Sequence, residues 1–291
     1  MGKALGLSPL VIGVFLVGLG TSLPEFFVSH LGALRGSNGI ALGNIIGSNL
    51  SNIFLILGIT GLVSSLNVKG KDMVMQVYLH LLLTVILAIL FIFDRLYFVS
   101  SLVLFTFFLY YVLQTYLDMK KHHKKGGELD KNTSFLELSN RTRLVLAVKL
   151  FFGFFLLYLG GELLVENGKA ICTEFGISEF IVSAIFVAFG TSFPELVTSL
   201  LACYKKKDTD LILGNLIGSN IFNVAFVLGT MGGYNIGFDR SFKVELGFLL
   251  LAATLLIIIQ RFKETFGKVE GAIFLSCYIA VVVYWVSNIK S

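Results

Sequence analysis

Apolar runs long enough to cross a lipid bilayer recur along almost the whole chain, at residues 8–34, 39–63, 73–93, 96–117, 143–165, 177–203, 210–234, 243–260 and 268–288. A spanning helix needs about 20 mostly apolar residues, so this pattern predicts about nine transmembrane helices. A transmembrane β-barrel is excluded, because the apolar residues run continuously instead of alternating. The composition agrees: AVILMFWYC residues make up 56% and charged residues 14%, against about 25% charged in a soluble chain. Disordered proteins, secreted disulfide scaffolds and cytosolic enzymes do not have this balance. Cys172, Cys203 and Cys277 are odd in number and far apart, so they suggest neither a disulfide framework nor a zinc site. The first apolar run leads into a polar motif rather than a small-residue cleavage site, so no cleavable signal peptide is expected.

The net charge of +5 would suit a nucleic-acid binder if the basic residues were clustered. They lie instead in short segments between apolar runs, which speaks for membrane orientation and lipid contact and against nucleic acid. The only long polar segment is 118–142, containing KKHHKKGGELDKN. It divides the chain into a first membrane repeat at 1–117, a linker at 118–142 and a second membrane repeat at 143–291. If the linker is cytoplasmic, sixteen Lys and Arg residues fall in inside segments and six in outside ones. The positive-inside rule then puts the N-terminus inside and the C-terminus outside a multi-pass plasma-membrane protein.

Internal repetition narrows the reading further. SPLVIGVFLVGLGTSLPEFFVS at 8–29 aligns without a gap to SEFIVSAIFVAFGTSFPELVTS at 178–199, sharing GTSxPE at Gly20–Glu25 and Gly190–Glu195. LGNIIGSNLSN at Leu42–Asn52 aligns likewise to LGNLIGSNIFN at Leu213–Asn223. Five predicted spans separate equivalent helices, and an odd separation reverses direction across the membrane. The expected architecture is therefore all-α with two inverted-topology repeats, a plan common among secondary transporters.

Each motif supplies oxygen. Pro24 and Pro194 have no N–H to bond the carbonyls of Gly20 and Gly190, so the helix should open there and expose backbone oxygen to the bundle interior. Thr21 and Glu25 share a helix face four residues apart, as do Thr191 and Glu195. Ser22 and Ser192 stand beside the opened backbone. Asn44, Ser48 and Asn52 form a second stripe at i, i+4, i+8, matched by Asn215, Ser219 and Asn223. Among the eighteen acidic residues, only Glu25 and Glu195 lie well inside a predicted span. An ionised carboxylate at mid-bilayer costs at least about 2.5 kcal/mol, and neither repeat has a Lys or Arg at matching depth. A bound cation or a proton is the simplest compensation. Two carboxylates with hydroxyl, amide and carbonyl oxygens make a hard cage of formal charge −2, which suits Ca2+ better than softer metals or Mg2+. Na+ can occupy the same oxygens and compete.

The paired GTSxPE and GNxxGSNxxN motifs resemble the two α-repeats of the sodium/calcium exchanger (cation/calcium antiporter) family, along nearly the whole chain. The resemblance implies a ten-helix inverted-repeat fold with central ion sites. Carried over position by position, it implies ion ligation by Thr21, Ser22, Glu25, Ser48 and Asn52 with Thr191, Ser192, Glu195, Ser219 and Asn223. The glutamates would hold Ca2+, with hydroxyls and carbonyls serving Na+. Two departures stand out. The chain begins MGKALGLSPL, without the family's helix ahead of the first repeat. Asn223 stands where many relatives, including potassium-dependent ones, carry Asp, which disfavours potassium dependence. The short central linker resembles prokaryotic members.

The resulting expectation is a secondary transporter, not an enzyme, exchanging Ca2+ for Na+ by alternating access. No organic cofactor and no obligatory protein partner are expected. The alternatives are a Ca2+/H+ antiporter using the same site, or a non-transporting, truncated ion-binding membrane protein. Asn44, Asn49, Asn215 and Asn220 suit either helix–helix hydrogen bonding or ligation. Glu162 and Glu166 read as interfacial charges near the outer end of the fifth span, and His30 and His80 as packing residues.

Overall fold

The computed structural model describes residues 18–69, 71–124, 140–205 and 209–289. Residues 8–17 of the first expected span, 125–139 of the linker, and Lys206 and Lys207 of the basic inner segment lie outside the described residues.

The described chain is almost entirely helical. In order come α1 (Leu19–Thr21), α2 (Leu23–Leu34), α3 (Asn38–Leu50), a π-helical turn (Ser51–Ile56) and α4 (Leu57–Val63). Then follow β1 (Leu66–Asn67), α5 (Lys71–Leu90), β2 (Arg95–Leu96) and α6 (Phe98–Lys124). The second half opens on α7 (Asn140–Phe175), α8 (Glu179–Val182), a π turn (Ser183–Val187), α9 (Ala188–Thr191) and α10 (Phe193–Tyr204). It closes with α11 (Thr209–Ile221), a π segment (Phe222–Leu228), β3 (Ile236–Gly237), α12 (Lys243–Phe262), β4 (Thr265–Phe266) and α13 (Lys268–Ser287). Among the described residues, six helices are long and apolar enough to cross a membrane, and α8–α9 with α10, bent by 43°, adds a seventh. Ile212–Leu228 is apolar but shorter.

The fifth span differs from its expected bounds. In place of 143–165, α7 runs 36 residues from Asn140 to Phe175, about 54 Å at 1.5 Å per residue. Gly160 and Gly161 do not end it: Gly161 packs beside Leu31 and Val28 of α2, so its missing side chain serves close approach. Only 11% of the most apolar stretch of α7 is buried, against 83% for Asn38–Val63. The protein interior is thus centred on α3 and its π turn. Gly43 and Gly47 bring α3 into backbone contact with the second half; a Cβ at Gly47 would lie 2.6 Å from Ala184 Cα.

Two short ladders tie the loops together across the halves. β1 pairs antiparallel with β4 through Leu66↔Phe266 and Asn67↔Thr265, and β2 with β3 through Arg95↔Gly237 and Leu96↔Ile236. Ser178 N–H also donates to the Ile289 carbonyl at 3.0 Å. Each pairing joins segments that the charge count puts on one side of the membrane, as an alternating arrangement of spans requires.

Candidate ion-binding site

Both copies of GTSxPE break the helix at the same place. Ser22 ends α1 and caps α2, and Ser192 ends α9 and caps α10. Proline sits in the first turn of each new helix, where its missing N–H costs nothing. Glu25 and Glu195 also fall in that first turn, at the positive end of the helix dipole, which favours a carboxylate. The carbonyls one turn before each break also accept side-chain hydroxyls. The Gly18 carbonyl accepts from Thr21 Oγ1 and Ser219 Oγ, each at 3.3 Å. The Ala188 carbonyl accepts from Thr191 Oγ1 at 3.2 Å and Ser48 Oγ at 3.5 Å.

The second motif departs from regular helical spacing. Asn44 and Ser48 stay on one face of α3, but Asn52 lies in the π turn Ser51–Ile56. Asn223 lies in Phe222–Leu228 in the same way. A π turn shifts the register of everything after it and recurs at functional sites. Asn52 Nδ2 consequently reaches Asn220 Oδ1 of the other half at 3.0 Å, and Asn220 Nδ2 donates to the Asn49 carbonyl at 3.0 Å.

All ten residues expected at the site are buried, none more than 8% exposed. Contacts between the halves are reciprocal. The Glu25 carboxylate lies among Ser48, Thr191 and Ser192, with Ser192 Oγ donating to its Oε1 at 3.3 Å. The Glu195 carboxylate lies among Thr21 and Ser219 and within reach of the charge of Glu25. Thr21 Oγ1 is 3.2 Å from Ser219 Oγ, and Thr191 Oγ1 is 3.2 Å from Ser48 Oγ. Each half therefore delivers its threonine to the other half's carboxylate.

Several buried atoms here have no hydrogen-bond partner: Glu25 Oε2, both Glu195 carboxylate oxygens, Ser22 Oγ, Asn52 Oδ1 and both amide atoms of Asn223. An unsatisfied buried polar group costs about 1–3 kcal/mol, and more when charged. Unpartnered carboxylate oxygens set among hydroxyls of both halves fit a cation. The set holds two carboxylates and otherwise neutral oxygen; among the described residues no group of three or more His, Cys, Asp or Glu side chains comes together.

The four asparagines whose roles were open all bond to protein. Asn44 Nδ2 reaches Ser29 Oγ at 2.9 Å, Asn49 Nδ2 the Ile45 carbonyl at 2.7 Å, and Asn215 Nδ2 Thr198 Oγ1 at 3.1 Å; Asn220 joins the amide bridge above. Two further acids are buried, in the first turns of α12 and α13. Glu245 is fully buried and Glu270 nearly so. Each has a cation. Arg240 Nη2 lies 2.9 Å from Glu245 Oε1, and Lys263 pairs with Glu270. Glu162 pairs with Arg35. His30 packs against the Phe26 ring and contacts Thr230 Oγ1 at 3.2 Å, while His80 is buried in the helical packing.

The chain matches the family described as sodium/calcium exchanger protein over residues 1–117 and 145–286. It is 34% identical over 285 residues to the protein named "Putative antiporter CaxA" of Alkalimonas amylolytica, covering 95% of this chain and 88% of that one. It is 27% identical to the sodium/calcium exchanger MaX1 of Methanosarcina acetivorans, covering 97% and 90%. Among solved structures it resembles the sodium-calcium exchanger NCX_Mj soaked with Na+ and Sr2+. That match has a TM-score of 0.73 and 28% identity, and covers 97% of this chain and 89% of that one.

Proposed function

The chain belongs to the sodium/calcium exchanger family, and from that premise we propose that it exchanges Ca2+ for Na+ by alternating access, with both ions bound between Glu25 and Glu195. The observation that carries the reading is the pair of buried carboxylates, with unpartnered oxygens and no basic partner among the described residues, set among hydroxyls of both halves.

Ca2+ accepts 6–8 oxygens in flexible geometry, and its charge balances two carboxylates. The proposed ligands are Glu25 and Glu195 for Ca2+, with Thr21, Ser22, Ser48, Asn52, Thr191, Ser192, Ser219 and Asn223 completing the cage. Na+ would use the hydroxyls and backbone carbonyls. Because the two ions compete for one set of oxygens, loading one displaces the other, and an inward Na+ gradient can drive Ca2+ out. The half-helices are built for switching. Each is broken beside the site, so its two parts can tilt separately, and the reciprocal contacts offer two equivalent arrangements. We further assign the chain to the plasma membrane, with the repeats at 1–117 and 143–291, the linker 118–142 and the N-terminus on the cytoplasmic side, and the C-terminus outside.

The test is uptake of radiolabelled Ca2+ into vesicles carrying the purified protein. An imposed Na+ gradient should drive uptake, and a pH gradient of similar size should not. Uptake that follows pH and ignores Na+ would overturn sodium coupling in favour of protonation of the same carboxylates.

A further inference from the structure

The hydroxyl groups around the two carboxylates are not free to turn, because two asparagines fix where their protons go. Asn44 Nδ2 lies 3.2 Å from the Glu25 carbonyl and 2.9 Å from Ser29 Oγ. A carbonyl only accepts, so the amide nitrogen is held on that side and Oδ1 faces Thr191 Oγ1 at 3.0 Å. Oδ1 cannot donate, so Thr191 must. Giving that proton instead to the Ala188 carbonyl, at 3.2 Å, would strand a buried acceptor. With the Thr191 proton committed, Ser48 Oγ donates to Thr191 at 3.2 Å or to the Ala188 carbonyl at 3.5 Å.

The other half repeats the logic with one changed part. Asn215 Nδ2 lies 3.1 Å from Thr198 Oγ1, which already gives its own proton to the Glu195 carbonyl at 3.0 Å. Thr198 can therefore only accept from the amide, and Asn215 Oδ1 faces Thr21 Oγ1 at 3.3 Å. Ser219 Oγ then donates to Thr21 at 3.2 Å or to the Gly18 carbonyl at 3.3 Å.

We infer that Asn44 and Asn215 are positioning residues that polarise two hydrogen-bonded chains across the halves, Ser48 to Thr191 to Asn44 and Ser219 to Thr21 to Asn215. The inference rests on the cation site proposed above. Every proton in these chains is passed towards an asparagine or a backbone carbonyl, so four hydroxyl oxygens keep lone pairs for an arriving cation. No hydroxyl has to rotate on binding, and the chains add no charge. Since each asparagine orients the opposite half's threonine, the two halves of the cage are set together. Bonds within such a chain strengthen one another.

The experiment measures Ca2+-dependent thermal stabilisation of the full chain in detergent, for wild type, Glu195→Gln, Asn44→Ala and Asn215→Ala. Either asparagine variant should need roughly three- to tenfold more Ca2+ for half-saturation, the worth of one hydrogen bond. On a Thr191→Val background, which already cuts the chain, Asn44→Ala should raise the requirement no further. The same holds for Asn215→Ala on Thr21→Val, which serves if Asn44→Ala fails to fold. Unchanged Ca2+ half-saturation with a lowered ion-free melting temperature would overturn the inference, leaving the asparagines as packing residues. Additive effects in the double variants would overturn it too. If wild type itself ignores Ca2+, or Glu195→Gln responds like wild type, the cation site fails and this inference falls with it.

Discussion

Glu245 and Glu195 are equally inaccessible to solvent, yet their surroundings differ in one decisive respect. Glu245 Oε1 receives Arg240 Nη2 at 2.9 Å and the Trp285 indole N–H at 3.0 Å. Arg240 in turn lies over the Phe180 ring at 4.6 Å, so a permanent cation and an aromatic face belong to the same fixed assembly. Neither carboxylate oxygen of Glu195 has a partner, and the nearby groups are hydroxyls and a second acid. The contrast separates scaffold from site. A charge neutralised within the chain holds helices together and cannot release its partner, whereas a charge left open requires something mobile.

The largest effect should come from closing that opening. Glu195→Gln or Glu25→Gln should reduce Ca2+ uptake to background while the ion-free protein melts no lower than wild type, since the change removes an uncompensated charge. Uptake and melting measured on the same preparation check both halves of the statement. A variant that transports normally breaks the comparison from one side, and one that collapses without ions breaks it from the other. Acid should mimic the substitution reversibly. Protons occupy the same carboxylate oxygens, so the Ca2+ needed for half-saturation should rise as pH falls.

Glu245→Gln should do the reverse. It leaves the mostly buried Arg240 without its carboxylate, and removing one member of a buried pair costs about 3 kcal/mol or more. The ion-free melting temperature should fall clearly, while Ca2+ half-saturation in the surviving folded protein stays close to wild type. A large shift in half-saturation would mean that the outer network reaches the site.

The sequence made the central acids legible because the repeat printed them twice and no basic residue shared their depth. It also showed the helix breaks, since proline has a local and unconditional effect on the backbone. The functional reading drew on the resemblance as well as on the residues. What stayed hidden depended on partners far away in the chain. Asn44 meets Thr191 across 147 residues, so no spacing rule could tell a proton-orienting amide from a ligand. The π turns that carry Asn52 and Asn223 were not anticipated by the i, i+4, i+8 spacing, which assumes a regular helix. Glu245 and Glu270 stand at the very start of the predicted spans 243–260 and 268–288, with Arg240, Lys263 and Lys268 nearby in sequence, so the pattern did not single out their burial. The extension of α7 beyond residue 165 was hidden for a similar reason: the glycine pair Gly160–Gly161 could mark a break or a close contact, and Gly161 packs against α2.

The smallest effect is expected at the outer rim. Arg35, at the end of α2, pairs with Glu162 of α7, and Lys169 Nζ donates to the Arg35 carbonyl at 3.3 Å. The Arg35 side chain is 40% exposed, so the pair is screened by water and salt, and such pairs contribute about 0.2–1 kcal/mol. Arg35→Gln should therefore lower stability only slightly, less still at high salt, and leave Na+-driven uptake near wild type. Were uptake instead to change severalfold with stability unaffected, this pair would differ in kind from Arg240–Glu245. It would be a contact made in one access state and broken in the other, and α7, which carries the least buried of the six long apolar spans among the described residues, would be the element that moves.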